Sequence, residues 1–178
     1  MSWLSRLFGG EDTADAATGG DTETVRKIVS ELKSLPQDRA RYIGAFAYIL
    51  SRIAYADGKI TDDEVTAMEQ MVTRYGGMPE AQAVLAVEIA RNQTLLFGGT
   101  ENYLVTREFK QLSTREQREQ LLHCLFAVSA ADDSIDSAEE AQINQIAQEL
   151  GITHRELVAV RASYSDKREV VRMGRALS

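Results

Sequence analysis

Two short acidic segments carry the side chains in this sequence that are best suited to binding a ligand. The first segment holds Asp57, just after an apolar run, and Glu64 seven residues later. The second repeats this pattern 75 residues further on, with Asp132 and Glu139. Carboxylate oxygens are the ligands that hard divalent cations such as Ca²⁺, Mg²⁺ and Mn²⁺ prefer. The four carboxylates are therefore candidate ligands for one divalent cation, provided that the fold brings the two segments together.

Each acidic segment resembles only the second half of a calcium-binding EF-hand loop. Asp57, Ile60 and Glu64 stand at the fifth, eighth and twelfth positions of such a loop. The first and third positions are Ile53 and Tyr55, which have no carboxylate, and the second segment lacks these two acids as well. Neither segment can be a complete single-loop calcium site, so a cation would have to be shared between them.

The same acids also fit a purely structural interpretation. Thr61 and Glu64 have the spacing of a capping box, in which each side chain bonds the backbone N–H of the other residue. Glu139 fits the same role in the second segment, and Asp57 and Asp132 could satisfy backbone amides in tight turns. Capping and metal binding both stay open, because a cap can leave one carboxylate oxygen free.

Apolar periodicity predicts the helices that position these segments. A helix that is apolar nearly all round precedes each segment, and an amphipathic helix that ends at glycine, Gly76-Gly77 or Gly151, follows it. Further capping boxes are predicted from Ser113 to Glu116 and from Thr153 to Glu156. No stretch shows sustained β alternation. We therefore predict an all-α fold, a bundle of seven to eight helices built from two pseudo-twofold-related repeats, which would bring the acidic segments to a common point.

The chain divides by composition into a leader, residues 1–21, and a helical domain, residues 22–178. Within the leader, Trp3, Leu4, Leu7 and Phe8 fall on one side of a short helix, and an acidic linker rich in glycine follows. Residues 1–10 are either a peptide that docks on a membrane or a partner, or a segment without such a role. No span of the sequence is as long as a membrane-crossing helix.

The overall charge limits the class of partner. With 20 Lys and Arg against 27 Asp and Glu, the net charge is −7, which argues against nucleic acid because phosphates need a basic surface. The single Cys124 excludes an intramolecular disulfide and lies in an apolar run, so we expect it and its neighbour His123 to lie in the core. No nucleophile–base pair or phosphate-binding loop is present, so we expect no enzymatic activity and no small-molecule substrate.

At the acidic segments the sequence resembles the TerB family of bacterial tellurite-resistance proteins and the related N-terminal domain of the DjlA co-chaperones. The family pattern is a hydrophobic helix that ends in Ala-Asp-Gly, then Ile or Val two residues on, then Glu; here these residues are Ala56-Asp57-Gly58, Ile60 and Glu64. The second copy has Ile135 and Glu139 in register but Asp133 in place of the glycine. The resemblance extends over residues 22–165.

The resemblance implies an all-helical bundle without enzymatic activity, linked to tellurite and other stress resistance. It also implies a cytoplasmic scaffold with protein partners near the inner face of the membrane, and a divalent metal bound through the acidic segments. Only four residues carry this metal role over to the present chain, namely Asp57, Glu64, Asp132 and Glu139.

Overall fold

The computed structural model describes residues 19–54, 60–93, 96, 102–131 and 134–167. Eight α-helices lie within these residues, and the described part has no β-structure apart from an isolated bridge at Ile135. The helices are α1 (Gly19–Lys33), α2 (Gln37–Ala54), α3 (Asp62–Tyr75), α4 (Glu80–Arg91), α5 (Asn102–Leu112), α6 (Arg115–Ala130), α7 (Ser137–Glu149) and α8 (His154–Ala162), and a 3₁₀ turn (Ser165–Lys167) follows them. The predicted all-α bundle is confirmed.

Helices α2 and α6 form the centre of the bundle, as their nearly continuous apolar sequences predict. In α2 every residue from 42 to 51 is buried, and in α6 only position 123 between 121 and 127 is partly exposed. Phe109 of α5 fills the space beside α2, with its ring 5.3 Å from that of Tyr42 and 6.2 Å from that of Phe46. Helix α2 also packs directly on α6, so the two helices form the core against which α3, α5 and α7 pack.

The two repeats pack against each other reciprocally. Helix α3, which follows the first acidic segment, contacts α6, the central helix of the second repeat. Helix α7, which follows the second segment, contacts α2, the central helix of the first. This exchange is the contact pattern that a pseudo-twofold arrangement of two helix pairs predicts.

The offset of 75 residues pairs Gly151 with Gly76, but the left-handed glycine at the end of the first repeat is Gly77. Gly77 has φ +65° and Gly151 has φ +70°, so these two occupy the left-handed conformation that favours glycine. Gly76, the first of the two glycines at the predicted helix end, is right-handed with φ −81°. A Cβ atom at Gly76 would lie 2.5 Å from the carbonyl oxygen of Val72, so this glycine is required by close packing instead.

Two other helix starts also differ from the sequence prediction. The second predicted capping box begins at Thr114 with Gln117 as its partner, one residue later than the predicted pair Ser113 and Glu116. Both registers satisfy the motif, and the helix begins at the later one. Helix α1 begins at Gly19, inside the segment predicted as linker, while residues 1–18 lie outside the described part. Among the described helices, none is both long and apolar enough to cross a membrane.

Candidate functional site

The structure brings together the glutamates of the two acidic segments. Glu64 from the start of α3 and Glu139 from the start of α7 line one cavity of about 240 Å³, and Asp63 lies on its edge. We call this space the corner cavity. Asp57 and Asp132, the other two predicted ligands, lie outside the described residues. The predicted convergence of the two segments is therefore seen for one residue of each pair.

Both glutamates are also partners in capping boxes. Glu64 Oε2 accepts a hydrogen bond of 2.6 Å from the backbone N–H of Thr61, whose Oγ1 accepts one of 3.3 Å from the N–H of Glu64. Glu139 Oε2 accepts one of 3.0 Å from the N–H of Asp136, whose Oδ1 accepts one of 2.7 Å from the N–H of Glu139. The capping interpretation of these two residues is confirmed, and each box directs its glutamate toward the helix N-terminus, where negative charge is favourable.

Two of the neighbouring acids, Asp62 and Asp136, make other contacts. Asp62 Oδ1 lies 2.8 Å from Arg91 Nη2 at the surface, and Asp136 is the N-cap of α7. Across the described residues, no group of three or more His, Cys, Asp or Glu side chains is arranged to hold a metal ion. The donor chemistry of Glu64 and Glu139 suits a hard cation, but a site of ordinary coordination number would need further oxygen atoms from Asp57, Asp132 or water.

The walls of the corner cavity are apolar, which the sequence analysis did not predict. Ile60, Met68 and Met71 of the first repeat face Val128 and Ala131 of the second. The sequence signal for this lining is the spacing of Met68 and Met71 along the inner face of α3, but the same spacing is typical of residues in any helical core. Methionine is adaptable in shape, so the corner cavity combines an acidic entrance with a deformable apolar lining.

A second cavity of about 420 Å³ continues from the first along the α3–α6 interface. We call it the side cavity. Ala67, Met71 and Ala131 line both cavities, so the two form one groove. The outer end of the groove is aromatic, since Tyr75 and Tyr164 line the side cavity.

Tyr164 is held at this end by α6. Its hydroxyl donates a hydrogen bond of 3.2 Å to the carbonyl oxygen of His123, and its ring stacks on Phe126 with centroids 5.5 Å apart. The His123 ring in turn stacks on Tyr75 at 6.3 Å. Burial lowers the pKa of His123 below its usual value, although Glu119 acts in the opposite direction. His123 is therefore half-buried packing between two tyrosines, and its neighbour Cys124 is fully buried as expected.

An ion pair links α2 of the first repeat to α7 of the second. Arg52 Nη1 lies 2.7 Å from Glu149 Oε2 and 3.2 Å from Thr106 Oγ1, and the Arg52 side chain is only 5% exposed. Partial burial by itself raises the pKa of Glu149. Hydrogen bonds from Arg52 and Thr106 together outweigh this effect, so the pKa lies below its usual value. This pair joins α2 to the end of α7 and fixes the second repeat against the first.

The bundle, its duplicated helix pairs and the convergent acidic starts of α3 and α7 define a TerB-type helical domain. The family model of the tellurite resistance protein TerB matches residues 43–162, about two thirds of the chain. The chain therefore belongs to the TerB family. No curated protein and no solved structure matches it.

Proposed function

We propose that this TerB-family protein is a non-enzymatic domain that binds a divalent cation between its two acidic segments and serves as a scaffold or metal sensor. The observation that carries the proposal is the joint position of Glu64 and Glu139, one from each repeat, on the corner cavity. Asp57 and Asp132 are proposed as the further ligands on sequence grounds. Ca²⁺, Mn²⁺ and Mg²⁺ are the ions whose preference for oxygen fits this set.

A cation in this position would act on the angle between the repeats. Helices α3 and α7 start beside the cavity and each packs on the central helix of the other repeat. Negative charges that converge without a counter-ion repel each other, and a bound cation removes that cost. Binding would therefore stabilise one arrangement of the repeats, which a protein partner could detect.

The test separates capping from metal binding by the change Glu→Gln. Glutamine keeps a capping box, as the box of Thr114 and Gln117 shows in this same chain, but it removes the charge. In calorimetry and thermal melting on chelator-treated protein, we expect Ca²⁺ or Mn²⁺ to release or absorb heat and to raise the Tm of the wild type. The double variant Glu64→Gln/Glu139→Gln should lose both effects, and so should Asp57→Ala/Asp132→Ala.

The matched control is Glu156→Gln in the third predicted capping box. Glu156 accepts a hydrogen bond of 2.8 Å from the backbone N–H of Thr153, as a capping-box glutamate does, and also pairs with Arg115. It does not line the corner cavity. This variant should respond to the cation like the wild type. An absence of heat and of any Tm shift with Ca²⁺, Mg²⁺ and Mn²⁺ would refute the metal proposal.

A metal-free interaction module is the second candidate, and the apolar walls of the groove favour it. In this case the acidic segments serve only as helix caps. Residues 1–10 and a basic C-terminal stretch then contact a partner or the cytoplasmic face of a membrane. The basic residues of that stretch are Arg161, Lys167, Arg168, Arg172 and Arg175. It predicts that chelators leave the Tm unchanged and that removal of residues 1–10 abolishes co-sedimentation with vesicles of anionic lipid. Equal sedimentation with and without residues 1–10 would exclude the membrane part.

A further inference from the structure

The groove between α3 and α6 has walls that suit an amphipathic helix. Its floor contains Met68, Met71 and Val128, its outer end contains Tyr75 and Tyr164, and its inner end opens beside Glu64 and Glu139. Apolar grooves rich in methionine accept helices through residues at i, i+3 and i+7. An occupant should therefore have an apolar stripe at that spacing and positive charge beside it.

The chain itself continues from the outer end of this groove. Ser163 and Tyr164 line the side cavity, and the 3₁₀ turn Ser165–Lys167 follows directly. Because Tyr164 is tied to α6 by its hydrogen bond to His123 and its stacking on Phe126, the following residues leave from a fixed point at the groove. A helix of eleven residues, the length of segment 168–178, would extend roughly 16 Å.

The sequence of residues 168–178 has the pattern that such a groove requires. At helical spacing, Val170, Met173 and Leu177 fall on one face, at i, i+3 and i+7. Three arginines fall on the opposite side at 168, 172 and 175. The charge of these arginines is opposite to that of the acidic entrance formed by Asp63, Glu64 and Glu139.

We propose that residues 168–178 form a docking segment that binds as an amphipathic helix in the α3–α6 groove of the same chain, with Val170, Met173 and Leu177 on the methionine-lined floor. The segment then occupies the surface that a partner helix would use, so a partner has to displace it. This docking does not rest on the cation proposal, because the apolar contacts of Val170, Met173 and Leu177 are its main contacts and the arginine charge only adds to them at the acidic end.

A nitroxide spin label at Arg175→Cys tests the docking in the full chain. Cys124 is fully buried and burial raises the pKa of its thiol to about 12, so the introduced cysteine is labelled selectively in the native protein. The methyl NMR signals of Met68 and Met71 should lose most of their intensity with the active label and recover when the label is reduced. The added change Met173→Asp should restore both signals, whereas the matched change Val171→Asp, away from the face of Val170, Met173 and Leu177, should leave them broadened.

Two further arms identify other occupants. If spin-labelled protein without isotope broadens these signals in isotope-labelled protein without a spin label, the occupant is a second copy and the proposal is wrong. If a label at Ser5→Cys broadens them and one at Arg175→Cys does not, residues 1–10 occupy the groove, which also overturns the proposal. Unchanged Met68 and Met71 signals with the label at position 175 would refute docking whether or not a cation binds.

Discussion

The helix pairs α2–α3 and α6–α7 both start their second helix with a capping box, but they differ in the residues behind it. Arg52 in the first pair corresponds to Ala127 in the second. Arg52 reaches Glu149 of the other repeat, whereas Ala127 leaves space and lines the side cavity. The first repeat therefore supplies the ionic link between the halves, and the second supplies room for the groove.

The same comparison extends to the caps and the central helices. The first repeat starts α3 with the neutral cap Thr61, and the second starts α7 with the charged cap Asp136. Tyr48 in α2 corresponds to His123 in α6, and the Tyr48 hydroxyl donates a hydrogen bond of 2.7 Å to Asn102. The two repeats thus share the same arrangement of helices but differ in the charge of the cap and in the ionisable residue of the central helix. Variants at matched positions should distinguish the effects of the shared arrangement from the effects of these differences.

The largest effect is expected at the ionic link. Arg52→Met leaves the Glu149 carboxylate partly buried without its cation, which should lower the free energy of unfolding by about 3 kcal/mol, the lower end for a broken buried pair. In the wild type the lowered pKa of Glu149 contributes stability above its unfolded pKa, and this contribution is lost as pH falls through the folded pKa. The variant should therefore show a shallower loss of stability in acid, measured by urea unfolding over the acidic range.

A double variant serves as the control for this link. Arg52→Met/Glu149→Gln removes the unpaired charge as well and should recover part of the stability that the single variant loses. A single variant that unfolds within about 0.5 kcal/mol of the wild type, the range of an ordinary surface substitution, would show that the pair does not join the repeats.

The next largest effect is expected where the repeats end. Gly76→Ala places a methyl group 2.5 Å from the Val72 carbonyl oxygen and 3.2 Å from its Cγ1, so the end of α3 must shift, at a cost of about 2 kcal/mol. In Gly151→Ala the new methyl group contacts only the flexible side chain of Lys110. The main penalty, roughly 1 kcal/mol, comes from placing alanine in the left-handed conformation. Urea unfolding of both variants compares the two ends; a larger loss at Gly151 would reverse this assignment.

The two N-caps should contribute similar free energies of stabilisation but respond differently to salt. Thr61→Ala and Asp136→Ala each remove one capping bond and should each cost about 1 kcal/mol. Asp136 also places a charge at the N-terminus of α7, where the helix dipole favours it, so the cost of Asp136→Ala should shrink with added salt while that of Thr61→Ala stays constant. Asp136→Thr should give the second repeat the salt response of the first; a salt-independent loss at both caps would contradict this.

The sequence predicted those features that local signals determine. The alternation of apolar helices with acidic segments was sufficient for the all-α fold, and the spacing of Thr61 with Glu64 and of Thr153 with Glu156 was sufficient for two capping boxes. Residues 113–117 allow two overlapping boxes, and local spacing cannot choose between them. The choice depends on where α6 begins against the rest of the bundle.

Features that depend on distant residues were not predictable in this way. Arg52 and Glu149 are 97 positions apart, and nothing in the local pattern of either helix specifies the other. Met68 and Met71 follow the ordinary spacing of core residues, so the groove appears only once α3 lies against α6. The metal role of Asp57, Glu64, Asp132 and Glu139 stays a prediction, because the position of the two glutamates supports convergence and does not test binding.

The smallest effect concerns the difference between Tyr48 and His123. Burial lowers the pKa of His123 in the folded protein. As pH falls, the unfolded chain therefore binds a proton at His123 before the folded protein does. The free energy of unfolding should begin to fall near the unfolded pKa of about 6.5 and stop falling below the folded pKa. His123→Phe keeps an aromatic ring between Tyr75 and Tyr164 and should flatten the stability profile below about pH 7, with little change at pH 8. His154→Phe is the matched control, since His154 is exposed at the start of α8, and it should leave the slope unchanged. An equal slope in the wild type and in His123→Phe, measured by urea unfolding, would show that the second repeat gains no pH sensitivity from its histidine.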